Sequence, residues 1–156
     1  NNARRSVHIT TPYLAIDEPM RQALCSAGDS GVDVRLLLPG IPDHKFAYLA
    51  AQSHYGELLV HRVKIYIYEP GLLHGKTVLS DGEAAFVGSV NMDYRSFQLH
   101  FECGTVLYGV PAIEGLAEDI QRITDCSRRV TYQEWKSRPW YRKLLSTLLR
   151  LFEMWM

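Results

Sequence analysis

The segment from His74 to Glu102 holds most of the side chains in this sequence that could do chemistry. In fewer than thirty residues it combines histidine, lysine, serine, asparagine, arginine and carboxylates with apolar residues typical of buried strands. Imidazole is a competent nucleophile or acid near neutral pH. Lysine, amide and hydroxyl donors can bind oxygens whose negative charge grows in a transition state. These residue types indicate chemistry at a phosphate group.

The pair Asp81-Gly82 predicts a tight β-hairpin inside this segment. A two-residue type I′ turn needs positive φ at both central positions, which aspartate tolerates and glycine prefers. With this pair at the centre of the turn, His74 is expected opposite Ser89 and Lys76 opposite Val87.

Strand alternation then places four polar side chains together at one end of the hairpin. His74 and Lys76 share a face, and Ser89 and Asn91 are expected on that same face. Gly88 falls on the opposite face, where the missing side chain lets another part of the chain approach closely.

The spacing of these residues resembles the HKD signature of the phospholipase D superfamily. The signature is matched by His74-x-Lys76, four residues, Asp81, six residues and Gly88-Ser89-x-Asn91. The flanking segments VHITTPY, GVDVRLLLPG and VKIYIYEPGLLHGK, with Phe101-Glu102, resemble the bacterial cardiolipin synthase branch. The resemblance covers nearly the whole chain and is closest to the second, C-terminal HKD half of such an enzyme. Members of this branch carry two HKD motifs, and this chain has one.

The resemblance implies a role for each residue of the motif. His74 is expected to attack phosphorus and form a phosphohistidine. Lys76 and Asn91 would stabilise the charge on the non-bridging oxygens, with Ser89 as a supporting donor. Glu102 is expected to orient a histidine, which could be the histidine of the other motif.

Other residues of the segment are expected to support the site. Asp81 is assigned to the turn, away from the phosphate, and Gly88 to close packing. Asp93, Arg95 and Ser96 are expected to order the loop that follows the asparagine of the motif. No cofactor and no metal is implied, because the histidine and lysine supply the charge stabilisation that a cation gives elsewhere.

Two positions outside this set complete the interpretation of the motif. His44 is expected near the rim of the pocket. His100 stands two residues before the glutamate, where the family commonly has asparagine.

Length and composition indicate one globular domain. A chain of 156 residues with 47% hydrophobic residues can bury a sizeable core. Three cysteines without a CxxC pattern favour neither a disulfide framework nor a zinc site, so reduced thiols are expected. No apolar run has transmembrane length. Because the sequence begins at NNARRSVHIT, almost inside a strand, we interpret it as a portion of a longer protein.

Charge is unevenly distributed along the chain. Residues 1–127 carry ten Lys and Arg against fifteen Asp and Glu, whereas residues 128–156 carry seven against two. An acidic main body argues against a nucleic-acid partner, which would call for a broad basic patch. The basic tail is compatible with an anionic membrane surface.

The pattern of apolar segments predicts an α/β fold, with a mixed β-sheet covered by helices on both faces. The predicted strands and helices alternate along residues 1–138, which we assign to a single HKD domain. Strands are predicted at Val7–Thr10, Val32–Leu38, Val63–Tyr68 and Phe101–Tyr108, beside the hairpin. Helices are predicted from Asp17 to Ala27, from Asp43 to Leu59 and from Pro111 to Ser127, with Asp17 and Asp43 as the expected caps of the first two.

Residues 139–156 form a separate amphipathic pattern. Helical spacing places one set of aromatic and leucine side chains on one face, namely Trp140, Tyr141, Leu144, Leu145, Leu148, Phe152 and Trp155. Basic and small polar residues lie on the other face. Such a helix can lie in a membrane interface, or it can pack on the sheet or on another domain, and the pattern does not distinguish the two.

The resemblance implies a phosphatidyltransferase that makes cardiolipin from two phosphatidylglycerol molecules and releases glycerol. Alternatives are a phospholipase D or nuclease-type phosphodiesterase built from two HKD motifs, and a non-catalytic membrane-binding fragment. A partner is expected in either enzyme, as a second HKD domain of the same chain or a homodimer partner. The expected location is the bacterial cell membrane, and a monomer of this chain is expected to be inactive.

Overall fold

A seven-stranded mixed β-sheet forms the centre of the structure, a computed structural model that describes residues 2–150. The strands are β1 (Ser6–Thr10), β2 (Leu14–Ala15), β3 (Asp33–Pro39), β4 (Lys64–Tyr68), β5 (Thr77–Ser80), β6 (Ala84–Gly88), β7 (Met92–Asp93), β8 (Gly104–Tyr108) and β9 (Ser127–Val130). The large sheet has the order β8-β6-β5-β1-β3-β4-β9, and β2 pairs with β7 separately. Strands β1, β3 and β4 run parallel, and the outer strands are antiparallel to their neighbours.

Helices cover both faces of this sheet. They are α1 (Glu18–Asp29), α2 (Lys45–Val60), α3 (Tyr94–Gln98), α4 (Ala112–Asp125), α5 (Tyr132–Lys136) and α6 (Trp140–Arg150). Residues of α1 and α2 share a core cluster with β1, β3 and β4, whereas α4 packs in a second cluster with β3, β5 and β6. The α/β fold with helices on both faces of a mixed sheet is therefore confirmed.

The position of β3 in the sheet explains why its sequence is almost continuously apolar. Leu36 and Leu38 belong to the cluster under α1 and α2, while Leu37 belongs to the cluster under α4. Successive side chains point to opposite faces of a strand, so a central strand covered on both sides needs apolar residues at every position.

The starts of the first two helices differ in how well the sequence predicted them. Asp17 caps α1 as predicted, because its carboxylate accepts a hydrogen bond of 3.0 Å from the amide of Met20. The predicted cap of α2 by Asp43 is wrong, since α2 begins at Lys45 and the cap position is His44, with no side-chain cap bond. Asp43 instead accepts a hydrogen bond from the hydroxyl of Tyr13.

The predicted register of the motif hairpin is wrong by one residue. Asp81 and Gly82 have the expected positive φ angles of 55° and 71°. However, Ser80 pairs with Ala84, so the loop contains three residues. The extra loop residue is Glu83, and its carbonyl accepts a hydrogen bond of 3.1 Å from the amide of Gly109, which follows β8.

This register changes the partners of the motif residues. Thr77, not Lys76, pairs with Val87, and the Lys76 carbonyl accepts from the Gly88 amide at 3.2 Å. The predicted opposition of His74 and Ser89 is also wrong, because β5 begins only after the histidine.

Several short elements were not predicted from the sequence, among them α3, which lies where a loop was expected. The short parallel pair β2–β7 joins the segments after β1 and after β6. Strand β9 and helix α5 lie where the sequence analysis placed no strand or helix. Two- to five-residue elements give too few repeats for a periodic pattern to be recognised.

Helix α6 covers residues 140–150 of the predicted C-terminal helix and packs against α2. Phe152 and Trp155 lie outside the described residues. Within residues 2–150, no helix combines the length and the apolar character needed to cross a bilayer.

Asp81 fastens the motif hairpin to the start of β1. Its carboxylate accepts three backbone hydrogen bonds of 2.8–2.9 Å, from the amides of Arg4, Arg5 and Ser6. These bonds hold the pKa of Asp81 at about 2, below its ordinary value. The carboxylate is therefore charged at neutral pH and joins two segments that are far apart in sequence.

We predict that Asp81→Ala lowers the thermal stability by several degrees at pH 7, because three backbone amides lose their acceptor. A lowered pKa contributes stability above the ordinary pKa and loses it as the pH falls through the lowered value. The difference from wild type should therefore shrink between about pH 4 and pH 2. Thermal unfolding followed by circular dichroism measures this.

Glu83→Ala is the matched control, because Glu83 is in the same turn and its side chain forms only an exposed ion pair with Arg5. Equal melting temperatures for the two variants at pH 7 would contradict a special role for the Asp81 carboxylate.

Candidate active site

The histidine and lysine of the HKD motif and its Gly88–Asn91 segment lie at the edge of the sheet where the parallel strands β1 and β3 end, whereas Asp81 lies at the opposite end of the hairpin. Strand β5 is antiparallel to β1, and Thr77 at its start pairs with Thr10 at the end of β1. The residues just before β5 are therefore delivered to the carboxyl end of β1. Strand β6 ends at the same edge, so Gly88 and the residues that follow it meet His74 and Lys76 there.

His74 lies on the open side of this edge. Its side chain is exposed, and its ring stands perpendicular to the ring of Tyr13, with 6.3 Å between ring centroids. Lys76 donates a hydrogen bond of 2.9 Å from Nζ to the carbonyl of His74. The imidazole is thus accessible to an incoming group while its backbone is tied to the lysine.

The ammonium of Lys76 lies among carboxylates. Partial burial lowers the pKa of Lys76, and the charges of Asp43, Glu102 and Asp93 act in the opposite direction. These three acids come from three separate segments of the chain. Lys76 is therefore the cation around which the segments of the site converge.

Ser89 is occupied in holding the segment before β8. Its Oγ contacts the carboxylate of Glu102 and accepts a hydrogen bond of 3.0 Å from the amide of Cys103. Hydrogen bonds from Ser89 and Ser96 lower the pKa of Glu102. In the described chain the hydrogen-bond partners of Glu102 are thus serine hydroxyls, and its predicted role towards a histidine stays a prediction.

Asn91 is positioned by the turn that leads into α3. Its backbone amide and Nδ2 both donate to Oγ of buried Ser96, at 3.2 and 3.3 Å. Asp93 caps α3 by accepting 2.7 Å from the amide of Ser96. Oδ1 of Asn91 is buried and has no partner among the described residues. The amide is therefore held rigidly with one acceptor still available.

The start of β7 ties this turn to β1. Thr11 accepts a buried hydrogen bond of 3.0 Å from the amide of Met92, and Leu14 pairs with Met92 in the β2–β7 ladder. Asn91, one residue earlier, is thereby held next to the edge of the main sheet.

Arg95 and His100 form the other side of the site. Nη2 of Arg95 lies 3.1 Å from Nε2 of His100. The charge of His100 is also one of the influences that lower the pKa of Glu102, after the serine hydrogen bonds. The histidine that replaces the usual asparagine thus contacts an arginine and favours the ionised glutamate.

Gly88 is packed too closely for any side chain. A Cβ at this position would lie 2.5 Å from the carbonyl oxygen of Cys103 and 2.7 Å from Cα of Gly104. The expected close approach of another segment at Gly88 is therefore observed, and the neighbour is β8.

A cavity of about 410 Å³ opens beside Asn91, between the turn into α3 and the start of α2. His44 lines it, whereas His74 and Lys76 are not among its lining residues, so the predicted place of His44 at the rim of the catalytic pocket stays a prediction. The remaining lining residues come from the segment after β1, from α2 and from the α3 region, namely Tyr13, Ala15, Lys45, Phe46, Ala47, Asn91, Asp93, Arg95 and His100.

Sequence reasoning missed the pair of Tyr13 and Asp43. Burial and the Asp43 carboxylate raise the pKa of Tyr13. Burial alone would raise the pKa of Asp43, but hydrogen bonds from Tyr13 and from the His44 amide lower it overall. Both residues follow parallel strands at their carboxyl ends, where ligands of open α/β sheets bind, and this position was the available signal.

A group of metal-ligand types occurs away from this site, among the described residues. Ligand atoms of Cys25, Glu57 and His61 lie within 4.8 Å of one another between α1 and α2. Glu57 forms an ion pair with Arg21, and Nδ1 of His61 lies 2.8 Å from Asp29. Arginine already neutralises this carboxylate, which disfavours a cation there.

The comparison with protein families decides the family. The model of the family described as "Cardiolipin synthase, PLD-like domain" matches residues 1–124. The chain belongs to this family.

Related sequences align with this chain over nearly its full length. A cardiolipin synthase of Clostridium perfringens is 40% identical over 151 residues, which cover 97% of this chain and 32% of that protein. The major cardiolipin synthase ClsA of Bacillus subtilis is 38% identical over 151 residues, covering 97% of this chain and 31% of the relative. The chain thus spans about a third of the length of these relatives.

Solved structures share the fold. Phosphatidylserine synthase from Haemophilus influenzae aligns with a TM-score of 0.75 and 16% identity, over 99% of this chain and 42% of its own. Nuc, a phospholipase D family member from Salmonella typhimurium, aligns with a TM-score of 0.71 and 19% identity, over 83% of this chain and 84% of its own. The predicted resemblance to the phospholipase D superfamily is confirmed.

We predict that Ser89→Ala raises the pKa of Glu102, because the Ser89 hydroxyl is the largest influence that lowers it. Titration of the side-chain carboxyl carbon of Glu102 by NMR measures the shift. Ser30→Ala is the control, since the Ser30 hydroxyl binds the Ser26 carbonyl at the end of α1. An unchanged Glu102 titration in Ser89→Ala would contradict the hydrogen bond that joins the two residues.

Proposed function

We propose that this chain supplies half of the active site of a phosphatidyltransferase that converts two phosphatidylglycerol molecules into cardiolipin and glycerol. The observation that supports it most directly is the exposed imidazole of His74 at the sheet edge where Lys76 binds the His74 carbonyl and where β6, which leads to Asn91, ends. Family membership supplies the reaction class. Both substrates are membrane lipids, so we place the reaction at the bacterial cell membrane.

The first step is attack of an imidazole nitrogen of His74 on the phosphorus of one phosphatidylglycerol. A nitrogen–phosphorus bond forms, and the bond from phosphorus to the headgroup glycerol oxygen breaks. That oxygen keeps the electron pair, takes up a proton and leaves as glycerol. Lys76 and the amide of Asn91 would stabilise the charge that grows on the non-bridging oxygens.

In the second step, the second lipid cleaves the phosphohistidine. A headgroup hydroxyl of the second phosphatidylglycerol gives up its proton and attacks phosphorus, and the nitrogen–phosphorus bond breaks. Cardiolipin is released and the imidazole of His74 is free again. Attack by water in place of the lipid hydroxyl would give phosphatidic acid, the product of a phospholipase D.

Each step needs a proton donor or acceptor on the side of phosphorus opposite to His74, because an alkoxide is a poor leaving group at neutral pH. This sequence has one HKD motif. We assign the second acid–base group to another HKD domain, either of the same chain or of a homodimer partner.

The surface around the site fits such a partner. Exposed apolar side chains flank the motif residues, with Leu72 just before His74 and Phe101 just before Glu102. We call this surface the apolar rim, and its members, each more than half exposed, are Ile41, Phe46, Leu72, Leu99 and Phe101. Exposed apolar side chains grouped around a polar site are typical of an interaction surface.

We predict that His74→Asn abolishes transfer in a protein that combines this chain with a second HKD motif. Asparagine has no nucleophilic nitrogen at neutral pH, so no phosphohistidine can form. Incubation with phosphatidylglycerol and identification of the lipid products by mass spectrometry measures this. Cardiolipin formation by the folded His74→Asn variant at a near-normal rate would contradict the assignment.

A second active-site variant and a control variant make this test more specific. Lys76→Ala should lower turnover by about a hundredfold or more without abolishing it, as loss of one preorganised donor does. His61→Asn is the matched control, because His61 is at the end of α2 and contacts Asp29. Phosphatidic acid as the main wild-type product would favour the hydrolase, and no lipid product would favour a non-catalytic fragment.

We predict that the chain alone is inactive as a monomer and gains activity only on pairing. Light scattering together with a phosphodiesterase assay on the same fractions measures both properties. Leu72→Glu should prevent pairing and remove any activity of a dimer, because it places a charge in the apolar rim. Robust activity from a species shown to be monomeric would contradict the need for a second motif.

A further inference from the structure

Helix α6 turns its apolar side away from the rest of the structure. Five large side chains define this surface, and their exposure ranges from 43% at Leu145 to 75% at Trp140. We call it the outer face of α6, formed by Trp140, Tyr141, Leu144, Leu145 and Leu148. An amphipathic helix of a soluble domain normally buries this side, so the orientation needs an explanation.

The opposite side of α6 makes the contact with α2. Ser146 is 2% exposed, and its Oγ donates to the carbonyl of Lys143 at 2.9 Å. Nζ of Lys143 in turn donates to the carbonyl of Lys136 at 2.6 Å. Ser146 is therefore the buried residue of α6, while the side chains of the outer face stay largely exposed.

The chain segment that carries the outer face is basic. Residues 128–150 contain seven Lys and Arg and one acidic residue, Glu134. Arg142 and Arg150 on α6 are exposed. A second copy of this chain docked face to face would bring like charges together, which is unfavourable. Anionic lipid headgroups complement the same charges, at about 1 kcal/mol for each basic residue near the surface.

We propose that the outer face of α6 lies on the surface of an anionic bilayer, with its leucines and aromatic rings in the headgroup region and its basic residues on lipid phosphates. Tryptophan, tyrosine and leucine beside arginine and lysine are the residues that interfacial helices use. The choice of an anionic membrane rests on the proposed function, in which phosphatidylglycerol is the substrate.

The position of α6 links this surface to the site. Arg142 and Tyr48 of α2 line one cavity, and Lys45 and Phe46 at the start of α2 line the cavity beside Asn91. Helix α2 thus contacts α6 with one part and the site with another. Docking by α6 would hold the catalytic edge of the sheet at a fixed distance from the lipid surface.

Co-sedimentation of the 156-residue chain with vesicles tests the proposal. The chain should bind vesicles of phosphatidylglycerol and phosphatidylcholine in equal parts more tightly than vesicles of phosphatidylcholine alone. Binding should weaken as salt is raised, because salt screens exposed charges. Arg142→Gln should weaken binding by about fivefold, which corresponds to about 1 kcal/mol.

The double variant Leu144→Glu/Leu148→Glu should weaken binding to anionic vesicles by about tenfold or more, because it removes apolar contacts and adds negative charge. Val106→Glu/Tyr108→Glu is the matched control, since these apolar residues are even more exposed and lie on β8, at an edge of the sheet. Trp140→Ala provides a second, smaller change should circular dichroism show that the double variant is unfolded.

Three outcomes would overturn the proposal. They are equal binding of wild type and a folded outer-face variant, equal binding to neutral and anionic vesicles, and dimers of the wild type that the outer-face substitutions dissociate. His74→Asn should bind vesicles as the wild type does. A loss of transfer with intact vesicle binding, or the reverse, therefore separates the failure of the catalytic proposal from the failure of this one.

Discussion

The antiparallel pairing of β5 with β1 is the constraint on which the site depends. It reverses the chain direction beside three parallel strands, so that the start of β5 meets the end of β1. The histidine and lysine of the motif precede β5 and are therefore placed where the loops after β1 and β3 also arrive. At the other end of the same pair, Asp81 fastens the turn to the first residues of β1. The pairing of β1 with β5 thus determines where the site lies, and the Asp81 bonds at its other end help to maintain the register of the two strands.

Charge compensation organises the polar side chains that meet at this edge. Lys76 is the cation, and the charges of Asp43, Asp93 and Glu102, from three segments of the chain, act on its pKa. Each acid has a hydrogen bond that limits its movement: Asp43 to Tyr13, Asp93 to the Ser96 amide, and Glu102 to Ser89. An incoming phosphate would therefore meet a lysine whose surroundings are already fixed. Preorganisation of this kind lowers the cost of rearrangement during a reaction.

Much of the fold follows from signals that the sequence displays. The apolar run of β3, the cap at Asp17 and the positive φ angles at Asp81 and Gly82 each have a local physical cause. The motif spacing identified the family, because the offsets between the motif residues follow from the hairpin that carries them. These features needed no knowledge of distant contacts.

The remaining features depend on contacts between distant segments. Glu83 adds a residue to the hairpin loop because Gly109 and Arg5 are available to bind it, and neither is visible from the local sequence. Asp43 binds Tyr13 instead of capping α2, because the loops after β1 and β3 meet at one edge. The outward orientation of α6 was left open, since amphipathicity does not specify which side of a helix is covered.

Gly88 and Gly104 face each other across β6 and β8, and the ring of Phe86 occupies the space above both. A Cβ on Gly104 would lie 2.3 Å from this ring, so even alanine would displace the phenyl group from the sheet. The adjacent Ser89–Cys103 hydrogen bond, which holds the segment of Glu102, would separate with the strands. For protein engineering, the glycine of the motif is thus a steric requirement, and libraries that vary the site should leave positions 88 and 104 unchanged.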